Sequence, residues 1–128
     1  MLDGIRHRVG ILDDNDDSRA VLRFWLEMQG FDVLEYSRIE DFLRGIGQDQ
    51  LDLALVDLWL PDGSGMTVPS EVGNGGGSKI PFVAVTAHAM PGVLQETTQA
   101  GFSGFVTKPL DFEELALEIR KHLPLSAI

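Results

Sequence analysis

The sequence predicts an α/β domain: a doubly wound, five-stranded parallel sheet with helices on both sides. Three observations carry this. Most of the short apolar runs do not alternate with polar residues, which is the pattern of strands buried on both faces. A segment of helical character separates each run from the next. The length, 128 residues, suits one domain and leaves no room for a second.

The first run is Val9-Gly10-Ile11-Leu12, closed by Asp13 and Asp14. Asn15 or Asp16 caps a helix over Ser18 to Gln29. Val21, Trp25 and Met28 share one face of it, with Leu22 and Leu26 beside them, and Trp25 is assigned to the core. Gly30 fits the left-handed position after the helix, with Phe31 as its apolar follower. Asp32 to Tyr36 is a less apolar strand, as an edge strand would be. Ser37-Arg38-Ile39-Glu40 reads as a capping box, Ser at N-cap and Glu at N3, opening a short helix through Arg44. Leu51 to Val56 is the third run and ends in Asp57; Ile80 to Val85 is the fourth and ends in Thr86. Pro91 suits the first turn of a helix to Ala100, and Gly101-Phe102 repeats the glycine-aromatic stop. Gly104 to Thr107 is the last strand, ending in Lys108-Pro109. Asp111 caps a final helix whose apolar face is Phe112, Leu115, Ala116, Ile119 and Leu123. Between Asp57 and Ile80 lie Pro61, Pro69 and glycines 63, 65, 73, 75, 76 and 77. A short helix near Thr67–Val72 and a mobile stretch over about 72–79 are expected there. Residues 1–128 then form a single domain with its core over about 8–123.

Composition narrows the function. Apolar residues make up 44% and charged residues 23%, a mix that folds. Ten basic against twenty acidic residues leave a net charge of −10, which repels nucleic-acid phosphate and anionic lipid, so neither is an expected partner. The absence of cysteine excludes disulfides, thiolate zinc sites and cysteine nucleophiles. No apolar segment follows Met1 and no membrane-length run occurs, so the expected compartment is the cytoplasm.

In doubly wound sheets ligands bind beyond the carboxyl ends of the strands. There the sequence puts Asp13, Asp14, Asp57, Thr86 and Lys108: three acids, a hydroxyl and an ammonium. Each has a plainer reading alone. Asp13 and Asp14 could cap a helix, as Asp16 and Asp17 do. Asp57 could close a strand ahead of the Pro61-Asp62-Gly63 turn, Thr86 could be an ordinary strand residue, and Lys108 could sit in solvent. Together they make chemical sense. Adjacent carboxylates repel, and a divalent cation relieves them. An all-oxygen donor set favours a hard ion such as Mg²⁺, with Mn²⁺ able to replace it. Lys108 and Thr86 would then face the oxygens of a phosphoryl group moved onto, or off, a carboxylate. Other motifs are missing. His7, His88 and His122 lack metal spacing, the glycines at 73–77 do not form a dinucleotide loop, Lys79 follows Ser78 instead of preceding a Ser or Thr, and no Gly-x-Ser-x-Gly occurs.

Ile11-Leu12-Asp13-Asp14-Asn15, Asp57-Leu58-Trp59-Leu60-Pro61 with Gly65, Val85-Thr86-Ala87 and Lys108-Pro109 resemble the receiver domain of two-component response regulators. The spacing agrees: 29 residues from Asp57 to Thr86, 22 from Thr86 to Lys108, and Phe105 three before the lysine. The resemblance implies a flavodoxin-like (βα)5 fold with strand order 2-1-3-4-5. It implies Asp57 as phosphoacceptor, with Asp13, Asp14, Asp57 and the Trp59 backbone carbonyl around Mg²⁺. Thr86, the Ala87 amide and Lys108 would bind the phosphoryl group. Thr86 would let Phe105 turn inward and reshape the face of the fourth helix, fifth strand and fifth helix, and Lys108-Pro109 would be a cis peptide. The implied partners are a sensor histidine kinase or histidine phosphotransfer protein, and a downstream protein or output domain. The resemblance leaves the oligomeric state open, a weak homodimer included. Such a domain catalyses only its own phosphorylation and dephosphorylation. The alternatives are a receiver-like interaction module that takes no phosphate and, less favoured, an aspartyl-phosphate Mg²⁺ phosphatase. The latter class needs a second Asp where this chain has Trp59. Trp59 and His88 are further expected to shield the acyl phosphate from water.

Overall fold

The computed structural model describes residues 6–61, 63–74, 80–87 and 90–123. Five strands begin within two residues of the apolar runs: β1 (Arg8–Leu12), β2 (Asp32–Tyr36), β3 (Leu53–Asp57), β4 (Phe82–Thr86) and β5 (Gly104–Thr107). They form one parallel sheet in the order β2-β1-β3-β4-β5, with β2 at an edge. Five α-helices connect or follow them: α1 (Asp16–Met28), α2 (Ile39–Asp49), α3 (Val68–Asn74), α4 (Pro91–Gln99) and α5 (Phe112–Arg120). None is long and apolar enough to cross a membrane.

Because side chains alternate along a strand, the sheet builds a core on each face. Val9, Ile11, Leu55 and Val83 pack against Leu22 and Leu26 of α1 and Leu115 and Ile119 of α5. Ala54, Val56 and Ala84 pack against Phe42 and Ile46 of α2 and Val68 and Val72 of α3, with Val93 of α4 at the margin. Gly30 (φ 96°) and Gly101 (φ 105°) both end a helix in the left-handed conformation. The next amides, of Phe31 and Phe102, reach back to the carbonyls of Leu26 and Thr97. This is the paired hydrogen-bond stop that the glycine-aromatic steps predict.

Five local expectations need correction. The buried line of α1 is Leu22–Leu26, spaced by one helical turn, while Val21 and Met28 are exposed. Trp25 is only half-buried, stacked on Phe112 with ring centroids 5.2 Å apart. The second helix does not use Ser37 as its cap: Arg38 is the N-cap residue and supplies no side-chain hydrogen bond. That helix also runs on to Asp49, because Phe42 and Ile46 anchor it to the sheet. The third helix continues through Asn74, so residues 72–74 are helical where a mobile stretch was expected; the rest of that stretch, 75–79, lies outside the described residues. Pro69 fits it because proline is tolerated in a first helical turn.

Candidate functional site

Asp57 and Thr86 are the last residues of β3 and β4, and Lys108 directly follows β5. Asp13 and Asp14 lie between β1 and α1, where Asn15 caps α1 by accepting the Ser18 amide. Parallel strands in one sheet end at one edge, so these residues meet there. One carboxylate oxygen from each of Asp13, Asp14 and Asp57 lies within 4.8 Å of the others. Lys108 Nζ reaches Asp57 Oδ2 at 3.0 Å and Asp13 Oδ2 at 3.3 Å.

The remaining oxygens are held as well. Asp57 Oδ1 accepts the Trp59 amide at 3.0 Å, and Asp13 Oδ1 accepts the Asn15 amide at 2.9 Å. The Lys108 amide donates to the Thr86 carbonyl at 2.8 Å, which ties the ends of β4 and β5 together. The Lys108-Pro109 peptide is cis. Gly65 closes on the back of the site. A Cβ there would overlap the Asp57 carbonyl oxygen and sit 2.9 Å from Val56 Cγ1, so only glycine fits this close approach.

The site is acidic and largely withdrawn from water. Asp13 is 4% exposed, Asp57 6% and Thr86 0%, while Asp14 is exposed. Burial pushes the Asp57 pKa up, against the opposing pull of the Trp59 amide and Lys108. Burial alone would lower the Lys108 pKa, but hydrogen bonding to Asp57 and the charges of Asp57 and Asp13 outweigh it, so that pKa is raised. One ammonium facing three carboxylates leaves excess negative charge. With only oxygen donors present, the arrangement fits a hard divalent cation. A cleft of about 360 Å³ opens beside Asp57 and Lys108, with Leu22, Leu55, Val85 and Phe112 among its mainly apolar lining.

Phe105 is half-buried and packs at the margin of the core under α2 and α3. Ala87 is exposed just beyond Thr86. The indole of Trp59 is also exposed, and His88, its expected companion, lies outside the described residues. Sequence reasoning missed Arg19, whose Nη1 donates to the Asp13 carbonyl at 2.7 Å. Its one signal was its spacing, three residues after Asp16. It also missed Glu118 of α5, buried far from the site and paired with Lys121 and His122.

The chain is similar to several known proteins. The cyclic di-GMP phosphodiesterase of Thermotoga maritima is 32% identical over 109 residues, covering 85% of this chain and 29% of that protein. The polar-differentiation response regulator DivK of Brucella anthropi is 28% identical, covering 90% of this chain and 94% of that protein. The chain spans less than half the length of the first curated relatives it matches, among them proteins named as sensor kinases. Among solved structures, the receiver domain of the Pseudomonas aeruginosa sensor histidine kinase PA1611 superposes with TM-score 0.82 at 24% identity, covering 92% of this chain and 98% of that one. That structure has magnesium coordinated in its active-site cleft. The family model for the response regulator receiver domain matches residues 9–120, a span that takes in every strand end from Asp13 to Lys108. With the parallel sheet and the gathered acids, that match makes this chain a member of the response regulator receiver domain family of two-component signalling.

Proposed function

We propose that this chain is a phosphoryl-accepting switch with Asp57 as acceptor. The observation that carries the reading is the Lys108 ammonium, within hydrogen-bonding distance of both Asp57 and Asp13 beside a third carboxylate. A carboxylate oxygen of Asp57 bonds to phosphorus as the phosphorus–nitrogen bond of a donor phosphohistidine breaks. The imidazole nitrogen leaves with that bond's electron pair. Held by Asp13, Asp14, Asp57 and the Trp59 carbonyl, Mg²⁺ or Mn²⁺ would neutralise the phosphoryl oxygens. Lys108, the Thr86 hydroxyl and the Ala87 amide hold the transferred group. The donor is a sensor histidine kinase or a histidine phosphotransfer protein. With Thr86 drawn toward the phosphoryl group, Phe105 turns inward and alters the α4–β5–α5 face read by a downstream protein or output domain. The excess of acid over base disfavours nucleic acid as a direct partner.

Beryllofluoride, which mimics a phosphoryl group on a carboxylate, tests this. Titrated with Mg²⁺, it is expected to saturate the chain and shift amide resonances around Phe105, α4 and α5. A chain that ignores it is a receiver-like interaction module, and the switch reading fails.

Trp59 adds a second expectation. Its exposed indole follows Asp57 by two residues, and its amide already binds the Asp57 carboxylate. If the indole limits water's approach, Trp59→Asn speeds loss of the acyl phosphate roughly threefold, which is under about 1 kcal/mol of barrier. Following the decay of phosphorylated protein by intact mass measures it, and an unchanged rate removes Trp59 from that role.

A further inference from the structure

Asp13 is held at four polar atoms. Its amide donates to the Tyr36 carbonyl at 3.1 Å, Oδ1 accepts the Asn15 amide, and Oδ2 accepts Lys108. The fourth atom is its carbonyl oxygen, which accepts from Arg19 Nη1 at 2.7 Å. Arg19 stands in the first turns of α1, its own amide bonded to the Asn15 carbonyl at 3.0 Å. The same guanidinium donates through Nη2 to Asp16 Oδ1 at 2.6 Å and through Nε to Glu35 Oε1 of β2 at 3.2 Å. Arg23, one turn along α1, holds the other oxygen of Glu35.

The Arg19 side chain is only 14% exposed. Its guanidinium is partly covered, and its hydrogen bonds to Asp13, Asp16 and Glu35 satisfy it there. The rigid fork of arginine reaches three acceptors in three directions, which a lysine ammonium on a flexible stem does not reproduce. The carbonyl it grips belongs to the peptide joining Asp13 to Asp14. Asp14 is exposed, so its carboxylate takes its direction mainly from that backbone.

We propose that Arg19 is a positioning residue for the acidic site. By fastening the Asp13–Asp14 peptide to α1 and β2, it holds both carboxylates in the arrangement a divalent cation takes. This rests on the metal-assisted reading of the site given above. The sign of the effect separates positioning from simple charge. Removing a positive group near a cation site would, through Coulomb's law alone, tighten cation binding. Removing a group that orients the ligands loosens it.

The experiment is calorimetric titration of Mg²⁺ into the wild-type chain, Arg19→Gln and Arg19→Lys, with circular dichroism and thermal unfolding to confirm that each is folded. Both variants lose the fork and are expected to bind Mg²⁺ roughly tenfold more weakly. Weakening of less than about threefold in either variant, or tighter binding in Arg19→Gln, overturns the proposal. If the Arg19 variants do not fold, Glu35→Gln removes one anchor and leaves the loop untouched. Because losing a carboxylate charge would by itself weaken cation binding, this titration is run at high ionic strength, where that longer-range attraction is screened; a several-fold weakening is expected to persist there, and affinity that is unchanged or tighter at high salt overturns the proposal equally. A wild-type chain that binds no Mg²⁺ ends the metal reading and this proposal together. A wild-type chain that binds, beside variants that bind as well, ends this proposal alone.

Discussion

Asp57→Asn is expected to take up no phosphoryl group from acetyl phosphate and Mg²⁺, whereas the wild-type chain gains the mass of one. The amide is nearly the same shape as the carboxylate but is a poor nucleophile, so the reaction loses its attacking atom while the fold keeps its packing. Uptake by the variant equal to that of the wild type would place the acceptor elsewhere. Stability is expected to move the other way. Burial raises the Asp57 pKa above the usual carboxylate range, so the folded state disfavours its charged form. For an acid with a raised folded pKa, that penalty is fully present above the folded pKa. It fades as pH falls through that value and is gone below the unfolded one. Without divalent cations, Asp57→Asn should therefore unfold at a higher temperature than the wild type near neutral pH, and the gap should close on acidification. Added Mg²⁺ should raise the wild-type midpoint more than the variant's, because a ligand that binds only the folded state stabilises it more the more tightly it binds. Thermal unfolding at several pH values, with and without Mg²⁺, checks both signs.

Gly65→Val is expected to be the most damaging single substitution near the site that removes no charge. Even a first methyl group would overlap the Asp57 carbonyl oxygen, with the carbonyl carbon 3.1 Å away. That neighbour is backbone and cannot rotate aside. The Gly65 amide also donates to the Leu58 carbonyl at 3.0 Å, so the loop cannot lift without losing that bond. Overpacking of this kind costs about 3 kcal/mol, which in a chain of this size lowers the melting midpoint by roughly 10 °C. Whatever relief the chain finds moves Asp57, the proposed acceptor, so on that proposal phosphorylation should slow in the fraction that folds. Gly47→Ala is the control. A Cβ at Gly47 meets nothing within 4 Å, on an exposed turn of α2. Helix propensity alone should then stabilise that variant by roughly 1 kcal/mol. A midpoint for Gly65→Val equal to that of the wild type would mean that the close approach is not required.

The strands were legible because an unbroken apolar run has few other uses in a folded chain of this length. The site was legible because polar residues that end parallel strands reach the same edge wherever they stand in the sequence. Asp57 and Thr86 turned out to be the last residues of their strands, a finer point than apolarity resolves. Helix faces were harder. Val21, Trp25 and Met28 lie along one side of α1, but the line that meets the sheet is Leu22–Leu26, and only tertiary packing chooses between neighbouring stripes. The full length of α2 was hidden by Gly45 and Gly47, poor helix formers. At Gly45 a side chain would come within 2.9 Å of the Tyr36 ring, so contact with the sheet, against local propensity, requires glycine there. Arg19 could not be singled out, because an arginine in the first turns of an acidic helix reads as a solvated charge until β2 is placed beside it.

The counter-charge of Asp13 arrives 95 residues after it, and that of Asp57 arrives 51 residues after it. During synthesis the acids emerge long before the lysine that balances them, and a nascent chain that has not yet paired its final strand holds them without it. Charge balance at this edge of the sheet is therefore a late event in the folding of each molecule, reached only once β5 has joined the sheet and brought Lys108 with it.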